Sequence, residues 1–191
     1  MGKQFALMEA PHREFIGRQR VFFTASAACE GRVNVSPKDG SALRILDERR
    51  VAYLDVTGSG NETAAHLRVK RRLTLMFCAF EGPPVILRLY GQGRVLRRGT
   101  AEYRELLASA FKNEERPGAR QIIVLDVEMV QTSCGFGVPL FSYMGERTNL
   151  DDWAANKGED GLREYWQVKN SVSIDGLATG ILEPEHEAVP R

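Results

Sequence analysis

The stretch Val56-Thr-Gly-Ser-Gly-Asn-Glu-Thr-Ala-Ala-His66 leaves an apolar segment, passes through two glycines and enters a helical pattern. A companion stretch, Val33-Asn-Val-Ser-Pro-Lys-Asp-Gly40, lies upstream and ends in a turn that carries one lysine. A strand that passes through glycines into a helix start presents free backbone N–H groups and the positive end of the helix dipole. The two stretches together predict a pocket for phosphate or another anion.

The glycines of this stretch match neither of two familiar nucleotide-binding signatures. The chain lacks the GxGxxG spacing of a dinucleotide site and the lysine of a P-loop, GxxxxGK[ST]. Strand-forming runs follow one another at short spacing, without regular alternation of strand and helix. The sequence therefore predicts a mostly β, α+β fold: an antiparallel β-barrel with peripheral helices. The predicted strands cover 21–27, 32–36, 51–55, 73–80, 85–96 and 121–130, with a short strand or bridge at 43–46. We expect Pro37 to end the second of these strands, and Gly91-Gln-Gly93 to bend the fifth.

Helical spacing and capping residues place helices between and after these strands. Residues 1–12 are expected to form a loosely held arm, and residues 183–191 are expected to fray. We expect one domain spanning 1–191, with a barrel core at 14–134 and a C-terminal extension at 135–191 that packs on it. The predicted helices cover 13–20, 61–70 and 101–111, with shorter helical pieces near 150–155 and 161–168.

Composition favours a compact cytoplasmic protein. The 191 residues are 43% hydrophobic and 27% charged, which suits an ordinary core. The formal charge is 26 − 25 = +1, so no global field points to nucleic acid or to a membrane surface. No apolar run approaches the roughly 20 residues of a membrane span, and no signal peptide is evident. Three cysteines without CxxC spacing indicate free thiols, and three scattered histidines give no metal site.

Five segments of the chain together resemble the pyridoxamine 5′-phosphate oxidase-like flavoproteins, which have an FMN-binding split barrel. The resemblance covers residues 14–134 and is strongest to an uncharacterised bacterial branch of the family. That branch also shows a segment similar to Ser133–Pro139 and a tail similar to Lys169–Leu177. The five segments are Phe22–Ser26, Gly31–Lys38, Thr57–Thr63, Leu73–Phe77 and Leu87–Gly91.

The resemblance implies a homodimer with FMN sites at the subunit interface. It implies that a strand with a following lysine contacts the flavin ring edge and phosphate, and that the glycine turn contacts phosphate and ribityl. It further implies that Gln92 reaches the cofactor from the partner subunit. The implied cofactor-binding residues are Asn34, Val35, Ser36, Lys38, Thr57, Ser59, Gly60, Asn61, Thr63 and Gln92.

The chain departs from the oxidase pattern at two places. Glu62 and Thr63 stand where the oxidase has an Arg-Lys pair, and the arginine and histidine that close on pyridoxamine phosphate have no counterpart. A carboxylate beside a phosphate is unfavourable unless it points away, for instance into a capping interaction.

The function that the resemblance implies is that of a flavin-dependent oxidoreductase acting on an unidentified small molecule. A reduced nicotinamide is one possible electron donor, and no catalytic acid or base is assigned. The first alternative is a non-catalytic carrier that binds flavin, deazaflavin or haem in the same dimer cleft. The second is a structural or regulatory dimer with an empty cleft.

Three further residues are given structural roles. His66 lies within a predicted helix and is expected to be packed or solvated rather than a catalytic base. Cys134 has no histidine near it in sequence and, since free cysteines are usually buried, is expected to be structural. Trp166 is expected to anchor the tail to the core.

Overall fold

The computed structural model describes residues 2–183, and within that range all strand pairing is antiparallel. The strands are β1 (Lys3–Phe5), β2 (Val21–Ser26), β3 (Asn34–Asp39), β4 (Leu43–Ile45), β5 (Arg50–Val56), β6 (Arg72–Cys78), β7 (Val85–Arg97) and β8 (Ala119–Cys134). They form one curved sheet with the order β3-β2-β6-β7-β8-β5-β4, and β1 pairs with β8. The prediction of an antiparallel split barrel with peripheral helices is therefore confirmed.

The described residues form four α-helices beside the sheet. Thr100 caps the third as predicted, because its hydroxyl accepts a hydrogen bond from the backbone N–H of Tyr103. The fourth is divided at Gly158, whose backbone is not helical (φ 65°, ψ 174°), and ends in a π turn at Trp166–Asn170, so the prediction of two separate helical pieces is confirmed. In residues 2–183 we find no helix long and apolar enough to cross a membrane. The helices are α1 (Ala10–Gly17), α2 (Glu62–Val69), α3 (Ala101–Phe111) and α4 (Asn149–Tyr165).

Side chains from both halves of the sheet fill the barrel. Phe22 packs against Tyr53 and Phe77, with ring centroids 5.4 and 5.7 Å apart. A second cluster lies between the sheet and α3, where Tyr103 and Phe111 are 2% exposed. Burial of such aromatic side chains is the main stabilising contribution of a core of this kind.

The bend predicted at Gly91-Gln-Gly93 is present. The register of β7 against β8 shifts between Tyr90 and Gly91, which marks a β-bulge. A Cβ atom at Gly91 would lie 1.9 Å from the backbone oxygen of Asp126, so no other residue fits without moving the backbone. The bulge lets the long strand curve around the core.

Two predictions about chain segments were wrong. Residues 2–12, the described part of the expected loosely held arm at 1–12, are well packed, since β1 pairs with β8, α1 begins at Ala10 and Met8 is fully buried. Pro37 does not end β3, which continues to Asp39. Proline is tolerated there because β3 is the edge strand of the sheet and needs no donor on its open side. From residue 184 onward, the C-terminal end that is predicted to fray lies outside the described residues.

Three expectations about side chains have mixed outcomes. Trp166 is 7% exposed, packs with Ala154 and Leu162 of the tail and donates to Thr57 Oγ1 at 2.7 Å, so it anchors the tail as predicted. All three cysteines are unpaired thiols, also as predicted. Cys134, however, is exposed at the end of β8, where we expected a buried position.

Candidate functional site

A cavity of about 670 Å³ opens between β3, the β5–α2 turn and the C-terminal segment that follows α4. Cavities of this size are typical of small-molecule sites. Cationic side chains outnumber carboxylates in its lining, so the site favours an anionic ligand. The cations are Arg32, Lys38, Arg120 and Lys169, and the carboxylates are Asp55 and Glu62.

Most of the predicted cofactor residues meet at this cavity. On β3, alternate residues face it, because successive side chains of a strand point to opposite sides. Hydrogen bonds join three of these residues: Ser36 Oγ donates to Asn34 Oδ1 at 3.1 Å, and Asn34 Nδ2 donates to Thr63 Oγ1 at 3.2 Å. The predicted residues in the lining are Asn34, Ser36, Lys38, Ser59, Gly60, Asn61 and Thr63.

Three predicted residues do not line the cavity. Val35 is on the other face of β3 and is 60% exposed. Thr57 is fully buried, where its hydroxyl donates to the Gly118 carbonyl and accepts from Trp166 Nε1, both at 2.7 Å. Gln92 lines a separate surface depression and donates to Glu128 at 3.0 Å. Its contact with a cofactor across a subunit interface stays a prediction.

A buried ion network forms the floor of the cavity. Asp55 accepts from Lys38 Nζ at 2.6 Å and from Arg120 Nε at 2.9 Å. Burial raises the pKa of the Asp55 carboxyl, but the Arg120 and Lys38 charges outweigh burial and hold that pKa well below its usual value. The trio therefore carries a net charge of about +1 at neutral pH. The two cations are held in place, so they lose little freedom when an anion binds.

An amide chain leads from this floor to the start of α2. Gln121 Nε2 donates to Asp55 Oδ2 at 2.8 Å and to Asn61 Oδ1 at 2.7 Å. Asn61 is the N-cap residue of α2, but its side chain does not cap the helix. Its Nδ2 atom is buried and has no hydrogen-bond partner among the described residues.

His66 occupies the next turn of α2 and is 1% exposed. The expectation that it is packed is confirmed, and the residue is also among those that line the cavity. Its Nδ1 atom lies 3.0 Å from Ser26 Oγ. Its Nε2 atom is the second buried side-chain polar atom that lacks a partner within residues 2–183.

Glu62 is turned toward the C-terminal segment. Its carboxylate accepts from the backbone N–H of Ile174 at 3.1 Å, and the next residue of that segment, Asp175, pairs with Arg32 of the cavity lining. Within residues 2–183, the backbone N–H groups of Glu62, Thr63 and Ala64 have no hydrogen-bond acceptor. The helix N-terminus therefore remains available to an anion even though a carboxylate stands in its first turn.

The sequence reading missed the residues that come from distant parts of the chain. Arg120 reaches the site from the start of β8 and also donates to Asn170 Oδ1 at 2.8 Å. Asn170 in turn donates to the Gly58 carbonyl at 3.1 Å, which ties the tail to the glycine turn. One signal existed: Asp55 and Arg120-Gln121 are polar residues at the ends of apolar strands, which indicates buried pairing. In the described residues, no group of three histidine, cysteine or acidic side chains could hold a metal ion.

Comparison with solved structures supports the fold. A tagged HupZ variant from Group A Streptococcus has a TM-score of 0.55 at 17% identity, over 66% of this chain and 99% of that chain. A Lactobacillus delbrueckii protein named for pyridoxamine 5′-phosphate oxidase (LDB0262) has a TM-score of 0.51 at 16% identity, over 66% and 94%. At such identities the similarity shows the fold alone.

Comparison of sequences shows the family. A family model described as "Pyridoxamine 5'-phosphate oxidase" matches residues 8–134, which is more than half of the chain. The pyridoxamine 5'-phosphate oxidase family protein ustO of Aspergillus flavus is 39% identical over 183 residues, 86% of this chain and 72% of the relative. The chain therefore belongs to the pyridoxamine 5′-phosphate oxidase family.

Proposed function

We propose that this protein binds FMN in the cavity and acts as a flavin-dependent oxidoreductase on a small molecule. The observation that carries the proposal is the cationic floor, where Lys38 and Arg120 share Asp55 close to the open N-terminus of α2. A phosphate dianion is the common ligand group that such a combination stabilises best.

The remaining residues of the cavity also fit FMN. Valine and isoleucine side chains offer apolar walls to a planar ring, and neighbouring hydroxyl and amide groups offer hydrogen bonds to its polar edge. Lys38, Arg120 and the first turn of α2 would hold the phosphate, and Asn34 and Ser36 would hold the ring edge. When bound, FMN supplies hydride transfer. The apolar walls are Val33, Val56, Val172 and Ile174.

The experiment is the visible spectrum of the purified protein after incubation with FMN and gel filtration. Retained flavin absorbance supports the proposal, and a protein that remains colourless contradicts it. A Soret band in the protein as purified would instead indicate the haem carrier. If FMN is retained, anaerobic bleaching by reduced nicotinamide distinguishes an oxidoreductase from a carrier, because a carrier does not need to react.

We further propose that the protein works as a homodimer, with Gln92 of one subunit approaching the cofactor of the other. Large hydrophobic side chains that are exposed in the isolated chain are consistent with a surface that a second subunit covers. Light scattering should give twice the 21.4 kDa chain mass, and a monomer at micromolar concentration would contradict the proposal. The exposed side chains include Val33, Val35, Phe136, Leu140 and Met144.

A further inference from the structure

A short hairpin in the C-terminal segment, residues 171–178, forms one wall of the cavity. Its two arms pair through an isolated antiparallel bridge between Val172 and Ala178, and Gly176 (φ 81°) allows the tight turn between them. Residues 172–174 belong to the cavity lining. We call this hairpin the strap.

The strap is held together by its own hydrogen bonds and has a buried base. The backbone N–H of Ser173 donates to the Leu177 carbonyl at 2.8 Å, and the backbone N–H of Leu177 donates to Ser173 Oγ at 3.0 Å. At the base, Thr179 is 4% exposed, and the fully buried Asn170 donates to the Gly58 carbonyl at 3.1 Å. A segment that satisfies its own backbone groups and has a fixed base can turn about that base as a unit.

Polar contacts with two separate elements hold the tip of the strap. The carboxylate of Glu62, in the first turn of α2, accepts from the backbone N–H of Ile174 at 3.1 Å. The carboxylate of Asp175 accepts from the backbone N–H of Arg32 at 2.7 Å and from the Arg32 guanidinium. Because Glu62 and Arg32 both line the cavity, the closed strap joins two of its walls.

The contact between the tip and the loop before β3 is closely fitted but exposed to water. Gly31 (φ 91°) lies against Asp175, and a Cβ atom at residue 31 would be 2.6 Å from Asp175 Oδ2. The Arg32 side chain and Ile174 are each 70% exposed. Water competes for such exposed polar groups, so their contacts contribute little to stability. The tip can therefore detach while the base stays in place.

We propose that the strap is a hinged gate: it turns about its buried base, and its tip must detach from Glu62 and Arg32 before a ligand enters or leaves the cavity. The inference goes beyond the proposed function, because it does not depend on which ligand the cavity holds. It also gives a role to Glu62, whose carboxylate is an unfavourable neighbour for an anion. That carboxylate holds the strap closed.

Hydrogen exchange tests the hinge without any ligand. Glu62→Ala removes one contact of the tip, and a strap that moves as a unit then also loosens the other contact. We expect exchange of the Arg32 backbone amide, which donates to Asp175, to accelerate about five-fold or more in Glu62→Ala. The Thr179 amide at the base should keep its wild-type rate. Glu102→Ala, in the first turn of α3, is the matched control and should change neither amide.

An unchanged exchange rate of the Arg32 amide in Glu62→Ala would refute the hinge, because the two contacts would then be independent. Equal acceleration at Arg32 and at Thr179 would also refute it, since the base would open together with the tip.

A reversible disulfide tests whether the hinge controls access to the cavity. A Cβ atom at residue 31 would lie 3.4 Å from Asp175 Cβ, close to the separation that a disulfide requires. In Gly31→Cys/Asp175→Cys, oxidation should therefore lock the strap and reduction should free it. Cys29→Ser and Cys134→Ser in the same protein remove the two exposed native thiols. Cys29→Ser/Cys134→Ser alone is the control and should not respond to the redox state.

FMN serves as the probe of the locked and the free strap. We expect oxidation to slow both association and dissociation of FMN about ten-fold or more, measured by stopped-flow quenching of flavin fluorescence. Equal rates in the oxidised and the reduced protein, with the disulfide verified by mass spectrometry, refute the gate. A cysteine pair that does not form the disulfide contradicts the closed position of the strap.

The two experiments separate failure of this inference from failure of the proposed function. If wild-type protein binds no FMN, the proposed function fails, and exchange of the Arg32 amide in Glu62→Ala still supports or refutes the strap. If FMN binds and its rates do not respond to the disulfide, FMN binding stands and the gate is refuted.

Discussion

At the scale of single residues, Asp55 determines how the cavity presents its positive charge. It accepts from Lys38, Arg120 and Gln121, and the last of these orients Asn61. The sequence predicted that Lys38 contacts the phosphate of the cofactor, and it indicated no protein partner for this lysine. In the structure, Lys38 already forms an ion pair with Asp55, so the contribution of Lys38 to anion binding depends on Asp55.

The first prediction concerns Lys38. Lys38→Met removes one of the two cations at the floor and should weaken FMN binding by about ten-fold or more, as expected for a lost charge-assisted hydrogen bond. Lys70→Met, at the exposed C-cap of α2, is the matched control and should leave FMN affinity unchanged. Equal affinity of Lys38→Met and wild type in a fluorescence titration would refute our placement of the phosphate.

The second prediction concerns the pH dependence of stability. The pKa of Asp55 is lowered from its ordinary value of 3.8, so its ion pairs stabilise the fold above about pH 4, and this contribution is lost as the pH falls further. Asp55→Asn should cost about 3 kcal/mol of unfolding free energy at pH 7 and less at pH 3. Urea unfolding at both pH values measures the difference.

Asp160→Asn, an exposed change on α4, is the control for Asp55→Asn and should cost under about 0.5 kcal/mol at either pH. A cost for Asp55→Asn that does not change between pH 7 and pH 3 would contradict the assigned ion network.

At the scale of elements, the β7–β8 pair shows what local sequence can specify. The glycines at 91 and 93 predicted a bend, and the bulge lies there because only a residue without a side chain fits against β8. The pairing of β1 with β8 could not be read in the same way. Its three residues, Lys3–Phe5, carry no pattern of their own and become a strand only because β8 extends to meet them.

The third prediction follows from the bulge. Gly91→Ala should lower the unfolding free energy by about 3 kcal/mol, since the added Cβ meets backbone atoms that cannot move independently. Gly137→Ala has open space around the new atom and should change stability by under about 0.5 kcal/mol. Similar urea midpoints for the two variants would contradict the bulge geometry.

The C-terminal segment after α4 is the other element that the sequence left undefined. Asn170 is fully buried and joins Arg120 to the Gly58 carbonyl, so the tail forms part of the cavity wall. No local sequence pattern predicts these contacts, because each of the two partners of Asn170 lies more than 45 residues away from it in sequence.

The fourth prediction tests the hydrogen bonds of Asn170 to Arg120 and to Gly58. Asn170→Ala leaves a buried guanidinium N–H and a carbonyl without partners, and should cost about 2–3 kcal/mol. Hydrogen exchange should also accelerate at the backbone amides of residues 58–61. Gln167→Ala, an exposed neighbour in the same π turn, is the control and should do neither. Unchanged exchange in Asn170→Ala would show that the tail does not hold the glycine turn.

At the scale of the whole molecule, the sequence predicted the fold class and much of the cavity but not the full set of residues that complete it. Asn34, Ser36 and Lys38 could be found because they alternate along one strand, and residues 59–63 because glycines precede a helix. Arg120 and Lys169 were missed as site residues because only the closing of the barrel and the return of the tail bring them to β3. His66 lies in the predicted helix and was interpreted as a packed or solvated residue. Local patterns report local structure, whereas this cavity is assembled from elements that are distant in sequence.

The central claim is that the cavity recognises a flavin through its phosphate. The fifth prediction compares the dissociation constants of FMN and riboflavin for the wild-type protein, measured by quenching of flavin fluorescence at one fixed salt concentration. We expect FMN to bind at least about 100-fold more tightly, because two cations and a helix N-terminus meet a group that riboflavin lacks. Equal affinities, or no binding of either flavin, would contradict the claim.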